Sequence, residues 1–352
     1  MSTRRRRRGS DMNSARATLN DVAHKAGVSV MTVSNFVRGK PVRAKTKKRV
    51  EEAIALLNYR PNRSARSLRL SEESSVGIVI ADSDPAFLND PFISRLVSGL
   101  SNYLSNLDYT LDVQGVTPER FSDATILAKL GNAALCAILC GPRSIRRDHL
   151  ANLQRLGPPI VVFQEVFKPP AANVAIISQD DLSGGMQLGE HLLETKVRSV
   201  IFVRPALDWC AIEQRERGLR NILGQAGVAI DFRTLSAASE RFDDVQRIVT
   251  DCLAKGAPPD AIVGATDSMA VAALKSCELA GRRVPRDIIV AGFNGFDVWR
   301  VTTPTLTTVV SPAYEMGRHA GELLIGRIQN GEFARRRVVL PVRLQIGEST
   351  AR

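Results

Sequence analysis

The stretch that decides the fold is Thr18–Arg69, TLNDVAHKAGVSVMTVSNFVRGKPVRAKTKKRVEEAIALLNYRPNRSARSLR. Thr18 and Asp21 stand at capping-box spacing, with Asp where Glu is usual, so a helix opens there. Leu19, Val22, Ala23 and Ala26 follow at i, i+3, i+4 and i+7, one apolar stripe. Gly27 stops that helix, because glycine enters the left-handed region without a steric penalty. Ser29 can cap a second helix that runs to about Val37. On it Val33, Phe36 and Val37 share one face, and Val30, Met31, Ser34 and Asn35 another. A third helix, Lys45 to Leu57, turns Val50, Ala53, Ile54 and Leu57 inward. Helix, short glycine turn, helix is a helix-turn-helix.

Charge separates this head from the rest. Residues 1–70 hold 18 Lys/Arg against 4 Asp/Glu, whereas the remaining 282 hold 30 against 32. The entire net charge of +12 therefore comes from the first fifth of the chain, the footprint of a polyanion-binding head on a near-neutral body. A generic three-helix bundle with solvating charges would not need the division seen on the second helix. Its outward face is small and neutral, suited to base edges, while its surroundings supply cations for phosphates. Residues 1–17 are polar and basic without apolar period and read as a disordered arm. They lack the apolar run of a secretory signal, and no stretch approaches a membrane span, so a cytoplasmic protein without a membrane partner is expected.

From Ser75 onward the pattern is α/β alternation. Strand candidates are Val76–Ile80, Leu111–Val113, Leu135–Leu139, Ile160–Phe163, Val174–Ile177, Val200–Val203, Ala261–Gly264, Ile288–Ala291 and Thr307–Val310. Helix-length segments separate most of them, which implies parallel sheets, and their number implies two Rossmann-like subdomains. Open parallel sheets bind ligands at the carboxyl ends of their strands, so a cleft between the two units is the expected site. Nothing catalytic stands out: no GxSxG, no Walker loop, and no His/Asp/Cys set at metal spacing. Gly184-Gly185 follows Asp180-Asp181 outside a GxGxxG frame. The five cysteines are odd in number and sit in apolar runs, so buried reduced thiols are expected rather than disulfides. The reading is of a chain with no enzyme activity, metal or cofactor.

The head closely resembles the LacI/GalR family of bacterial regulators, and Tyr59–Arg69, YRPNRSARSLR, matches that family's hinge segment. In the body DDLSGGMQLGEHLL, EQRERGLRNIL, GATDSMAVAALKS, RVPRDIIVAGFNGF and TPTLTTVVSPAYEMGRHAGELLIGRI match further family stretches. The resemblance implies a helix-turn-helix domain over 18–60, a hinge helix and linker over 61–74, and a periplasmic-binding-protein-like body over 75–352 that binds effector and dimerises. It implies that Val30, Met31 and Asn35 read bases, that Thr18, Ser29, Thr32, Ser34 and Asn62 face phosphates, that Ala65 lies in the hinge contact, and that Leu68 wedges into the minor groove. Asn at position 35 pairs best with adenine, where many relatives carry a guanine-reading Arg.

In the cleft the resemblance implies Asp180, Arg215, Thr266, Asp267 and Asn294 as effector contacts, with Asp180 and Asp267 also placed to cap helices. Arg215 and Asn294 are expected on opposite walls. Two departures stand out: Asn294 replaces the family's usual Asp, and the loop Leu235–Asp244 lacks an aromatic in register, Phe242 being displaced. VSVMTVSNFVRG and AGFNGFDVWRV look most like the gluconate-repressor branch, which implies a sugar acid. The function so implied is a dimeric repressor of a two-fold-symmetric operator in double-stranded DNA, controlled by a sugar or sugar acid. Control by a partner protein, or an α/β enzyme fused to a DNA-binding head, are the alternatives.

Overall fold

A computed structural model describes residues 17–37, 41–57, 59, 75–81, 87–117, 120–121, 132–169 and 171–351. The hinge and its Asn62, Ala65 and Leu68, together with the arm before Ala17, lie outside the described residues. The chain divides into two compact units, Met1–Ser71 and Glu72–Arg352.

In the first unit α1 spans Leu19–Ala26, α2 Val30–Val37 and α3 Ala44–Leu56. The capping box forms as spaced: the Thr18 amide donates to Asp21 Oδ2 at 2.7 Å and the Asp21 amide to Thr18 Oγ1 at 3.3 Å. These bonds from Thr18 hold the Asp21 carboxyl below its usual range. Gly27 closes α1 at φ 60°, and Arg49 of α3 donates to its carbonyl at 3.1 Å. Val22, Ala23, Ala26, Val33, Val50, Ala53 and Tyr59 form a small core, with Phe36, Ile54 and Leu57 packed around it.

The second unit has two lobes. In the first, β1 (Ser75–Ala81), β2 (Thr110–Val116), β3 (Ala134–Ile138), β4 (Ile160–Phe163), β5 (Val174–Gln179) and β11 (Arg337–Leu340) form one sheet. Its order is β11-β5-β4-β3-β1-β2 and all its pairings are parallel. The helices α4 (Pro91–Ser105) and α5 (Arg143–Gln154) belong to it. The second sheet takes β6 (Ser199–Pro205), β7 (Asp231–Ala237), β8 (Ala261–Gly264), β9 (Ile289–Asn294), β10 (Thr307–Val310) and β12 (Arg343–Gln345), in the order β12-β10-β9-β8-β6-β7. Only β12 runs antiparallel, against β10. The remaining helices are α6 (Asp181–Glu194), α7 (Cys210–Gly224), α8 (Phe242–Ala254), α9 (Asp267–Leu279), α10 (Val298–Val301) and α11 (Ala313–Asn330).

Three crossings join the lobes: α6 from β5 to β6, α11 from β10 to β11, and the short link from β11 to β12. Central strands read as continuous apolar runs because both their faces are covered; β1, β3, β4, β5, β8 and β9 are buried throughout. Glycines let helices meet closely. A Cβ on Gly185 of α6 would overlap the Arg215 carbonyl oxygen of α7, and one on Gly218 of α7 would overlap that of Leu182. Such a contact brings Asp181 and Arg215, on facing helices, within reach of each other. All five cysteines are free, four of them buried.

Candidate functional site

The candidate recognition surface on the head is α2. Its first turn exposes Val30 (44%) and Met31 (68%), whereas Val33 one turn on is buried, so the apolar pair is left out of the core. Ser34 and Asn35 are half-buried on the same helix. The Thr32 amide donates to Ser29 Oγ at 3.2 Å and the two hydroxyls stand 2.8 Å apart, so Ser29 caps α2 while remaining at the surface. Large exposed apolar side chains at a helix start, in a strongly basic unit, fit thymine methyls in a major groove.

The second site lies in the body at the carboxyl ends of the strands. Arg215 of α7 is 3% exposed. Its Nε donates to Asp181 Oδ1 at 2.8 Å, Nη1 to the Ala265 carbonyl at 2.7 Å, and Nη2 to Asn294 Oδ1 at 3.0 Å, while its plane stands over Phe293. Arg215 and Asn294 thus stand side by side in the second lobe and not on opposite walls, because α7 and β9 belong to one sheet layer. Asp181 also accepts from Gln179 at 2.7 Å and from Gln164 at 3.4 Å, both from strand ends of the first lobe. Ser311, just after β10, donates to Gln179 Oε1 at 2.5 Å. A single polar cluster therefore runs from β4 and β5 of one lobe to α7, β9 and β10 of the other.

Two residues in it carry unusual backbone: Gln164 at φ 60° and Asn294 at φ 116°. Non-glycine residues there cost on the order of 1–3 kcal/mol and concentrate at functional sites. The strain at Gln164 turns its amide back onto the Gln179 N–H, which donates to Gln164 Oε1 at 3.1 Å. Burial pushes the Asp181 carboxyl above its usual range, and Arg215 draws it part of the way back.

Of the five residues named for the cleft, Arg215, Asn294 and Asp267 come together. Asp267 does not cap its helix; Thr266 does, accepting from the Met269 amide at 3.4 Å. Asp267 instead accepts from the Gly295 amide at 2.7 Å and from Thr308 Oγ1 at 2.6 Å, and burial pushes it up to about 7. Asp180 caps α6 through the Ser183 amide at 3.0 Å, and its neighbour Asp181 meets Arg215. Sequence reasoning missed Gln164, Gln179, Asp181 and Ser311; the only signal was the doubled Asp ahead of Gly184-Gly185. It missed Trp209 too, which precedes α7 and packs against the cores of both lobes. Among the described residues no three His, Cys, Asp or Glu side chains gather as a metal site, and no helix is long and apolar enough to cross a membrane.

A helix-turn-helix head and a two-lobed α/β body define a transcription regulator, and comparison with known proteins gives the same class. Residues 18–62 match the model of bacterial regulatory proteins of the lacI family, and residues 190–350 that of the periplasmic binding protein-like domain. The chain is 29% identical over 340 residues to the HTH-type transcriptional regulator CelR of Thermobifida fusca, covering 95% of this chain and 98% of that one. It is 28% identical to the ribose operon repressor of Bacillus subtilis (strain 168), covering 96% and 99%. Its fold superposes on the lac repressor dimer bound to operator and the anti-inducer ONPF with a TM-score of 0.83, at 23% identity over 96% of this chain and 99% of that one. The chain thus carries a lacI-family regulatory domain and a periplasmic binding protein-like domain, and its relatives are transcription regulators rather than enzymes.

Proposed function

We propose that this regulator is a homodimeric repressor whose affinity for a two-fold-symmetric operator is set by a small polyhydroxylated metabolite, a sugar or sugar acid, bound between the lobes of the body. The observation that carries this reading is the cluster around Arg215. It joins the strand ends of both lobes through directional hydrogen bonds, so a ligand that enters must exchange bonds with both. A ligand shifts an equilibrium only by its differential affinity for the two states, and groups shared between lobes supply that difference.

On the same reading Val30, Met31 and Asn35 read bases, and Thr18, Ser29, Thr32 and Ser34 meet phosphates once DNA is bound. A chain named for the ribose operon is among the relatives that span the whole length, which favours a sugar-class effector. The test is genome-wide mapping of bound sites, then operator titration with and without sugars and sugar acids. Arg215→Ala should lose the metabolite response while unliganded operator affinity stays within a few-fold. A variant that responds at the same metabolite concentration removes Arg215, and the cleft with it, from the mechanism.

A further inference from the structure

A cavity of about 410 Å³ opens on the body where α4, the loop after β9 with α10, the start of α11 and β12 meet. Of the cluster at Arg215, only Ser311 also lines it. Side chains two apart on a strand share a face, so Arg343 and Gln345 of β12 both line the cavity while Leu344 between them packs on the apolar core. Val310 of β10, the register partner of Arg343, completes that wall. The loop after β9 is pinned at both ends. The Gly295 amide, at φ 65°, donates to Asp267, and the Trp299 carbonyl accepts from the Leu306 amide at 3.0 Å. This holds Phe296, Asp297, Trp299 and Arg300 in the lining, and the first lobe contributes Arg95 of α4.

The charges of this lining do not balance. Three guanidinium groups, Arg95, Arg300 and Arg343, stand against the carboxylates of Asp297 and Glu315. Asp297 meets Arg95 at 2.6 Å, and Glu315 is held by Arg318 at 2.7 Å. Among the described residues Arg300 and Arg343 have no ion-pair partner. The Arg95–Asp297 pair is exchangeable, because its side chains are 44% and 82% exposed and exposed pairs contribute little. Arg95 stands over Phe296 and Arg300 over Trp299, at 5.3 Å and 5.1 Å from the ring centroids. Stacking occupies the face of a guanidinium and leaves its N–H edge to bond oxyanions. Arg215 differs, since Asp181, Ala265 and Asn294 already fill its fork.

We propose that this cavity is a second ligand site, distinct from the cleft, and that it binds a phosphate monoester. Its size is that of a small-metabolite pocket. Forks from three separate elements, α4, α10 and β12, match the several acceptor oxygens of a tetrahedral dianion better than the two of a carboxylate. The Phe296 and Trp299 rings offer apolar surface to the ring of the esterified sugar or nucleoside. α11 begins at the cavity without a side-chain cap, and its dipole adds to the field of the arginines. Arg95 belongs to the first lobe, and Arg300 and Arg343 to the second, so the bound ester also joins the lobes. A sugar phosphate and a nucleoside monophosphate share the anchoring group and form separate arms of the test.

The experiment is titration calorimetry of the full chain with glucose 6-phosphate, adenosine monophosphate, gluconate and glucose, at about pH 8, where a phosphate monoester is dianionic. One of the two esters should bind with a Kd below about 1 mM and at least tenfold tighter than gluconate and glucose; the tighter ester identifies the source of the phosphate. Arg300→Gln and Arg343→Gln together should weaken that ester at least tenfold, and Arg95→Gln alone at least threefold. Arg300 and Arg343 are exposed, so their variants should keep the wild-type melting curve. If the double variant does not, each single variant should still lose at least threefold. Absence of ester binding, gluconate or glucose within tenfold of the tighter ester, or smaller losses in the folded Arg300 and Arg343 variants each overturns the site. An Arg95→Gln variant that loses less than threefold overturns the bridge between the lobes.

Discussion

Removing either partner of the Arg215–Asp181 pair should destabilise the body, but the two losses should respond differently to pH. Both side chains are at least nine-tenths buried. Breaking such a pair costs about 3–5 kcal/mol because the survivor is an unpaired charge. In Asp181→Ala the survivor is a guanidinium, which cannot shed its proton and keeps only the neutral acceptors Ala265 O and Asn294 Oδ1. In Arg215→Ala the survivor is a carboxyl, which escapes by taking up a proton. Full burial raises such a group above its value in the unfolded chain. A raised folded value means that the folded state binds the extra proton between the two values, so stability is gained as pH falls through the window and lost as it rises. The slope is about 1.4 kcal/mol per pH unit. As pH falls from 7 to 5, Arg215→Ala should therefore gain stability relative to Asp181→Ala, at up to about 1.4 kcal/mol per pH unit. Asp267, which Arg215 also draws down, rises further in Arg215→Ala and so adds to the difference in the same direction. Urea unfolding at pH 5, 6 and 7 measures it, followed by intrinsic fluorescence, because both tryptophans, Trp209 and Trp299, lie in the body. Parallel pH profiles for the two variants would refute the argument, since they would mean that Asp181 is hydrated or compensated once Arg215 is gone.

Three further outcomes are expected. Asn35→Ala should relax base preference at one position per half-site at a cost of about 1–3 kcal/mol there; a randomised-site selection that returns the same motif removes Asn35 from base reading. Gly218→Ala should lower body stability by about 1–3 kcal/mol despite its better helix propensity, because the new Cβ meets the Met186 amide nitrogen at 2.8 Å and Gly185 Cα at 2.9 Å; an unchanged melting temperature would show that α6 and α7 separate freely. Asp267, pushed up to about 7 by burial, makes folding less favourable as pH rises from about 4 to 7, at about 1.4 kcal/mol per unit; Asp267→Asn should flatten that part of the stability profile, and an unaltered slope assigns it elsewhere.

What could be read from sequence follows the strength of local signals. The head was legible because Thr18, Asp21, Gly27 and the apolar stripe act within single turns. The central strands were legible because burial on both faces leaves unbroken Val/Ile runs. The strands missed were β7, β11 and β12, which lie at sheet edges with alternating exposure and carry Asp231, Arg233, Arg337 and Arg343. Edge strands of that kind do not differ in composition from loops. In the site, Arg215 and Asn294 were visible as types at positions, but their shared lobe was not, since it depends on which strands enter which sheet. Asp181 was passed over for Asp180 because a cap and a buried ion-pair partner look alike one residue apart. Gln164 left no trace: its place in the cluster comes from a positive φ that nothing in the local sequence announces.

The topology explains why the cleft and the lobe boundary share residues. Parallel strands end at one edge of each sheet, and all three crossings between lobes leave from that edge, after β5, after β10 and after β11. Gln179 and Asp181 flank the first crossing and Ser311 begins the second, so the groups that bond across the boundary also terminate the connecting segments. A change in lobe angle pivots about those segments and must alter the Ser311–Gln179 bond, at 2.5 Å, and the Asp181–Arg215 bond, at 2.8 Å. Hydrogen bonds weaken steeply with distance and angle, so a small rotation breaks them rather than stretching them. The boundary therefore favours discrete arrangements over a continuum, and a ligand that supplies or withdraws one such bond can select between them. Double variants test this: Ser311→Ala and Asp181→Asn act on one two-state element, so their effects on metabolite affinity should be non-additive by about 0.5–3 kcal/mol. Strict additivity would mean that the two bonds break independently, and the boundary would then be a hinge without a switch.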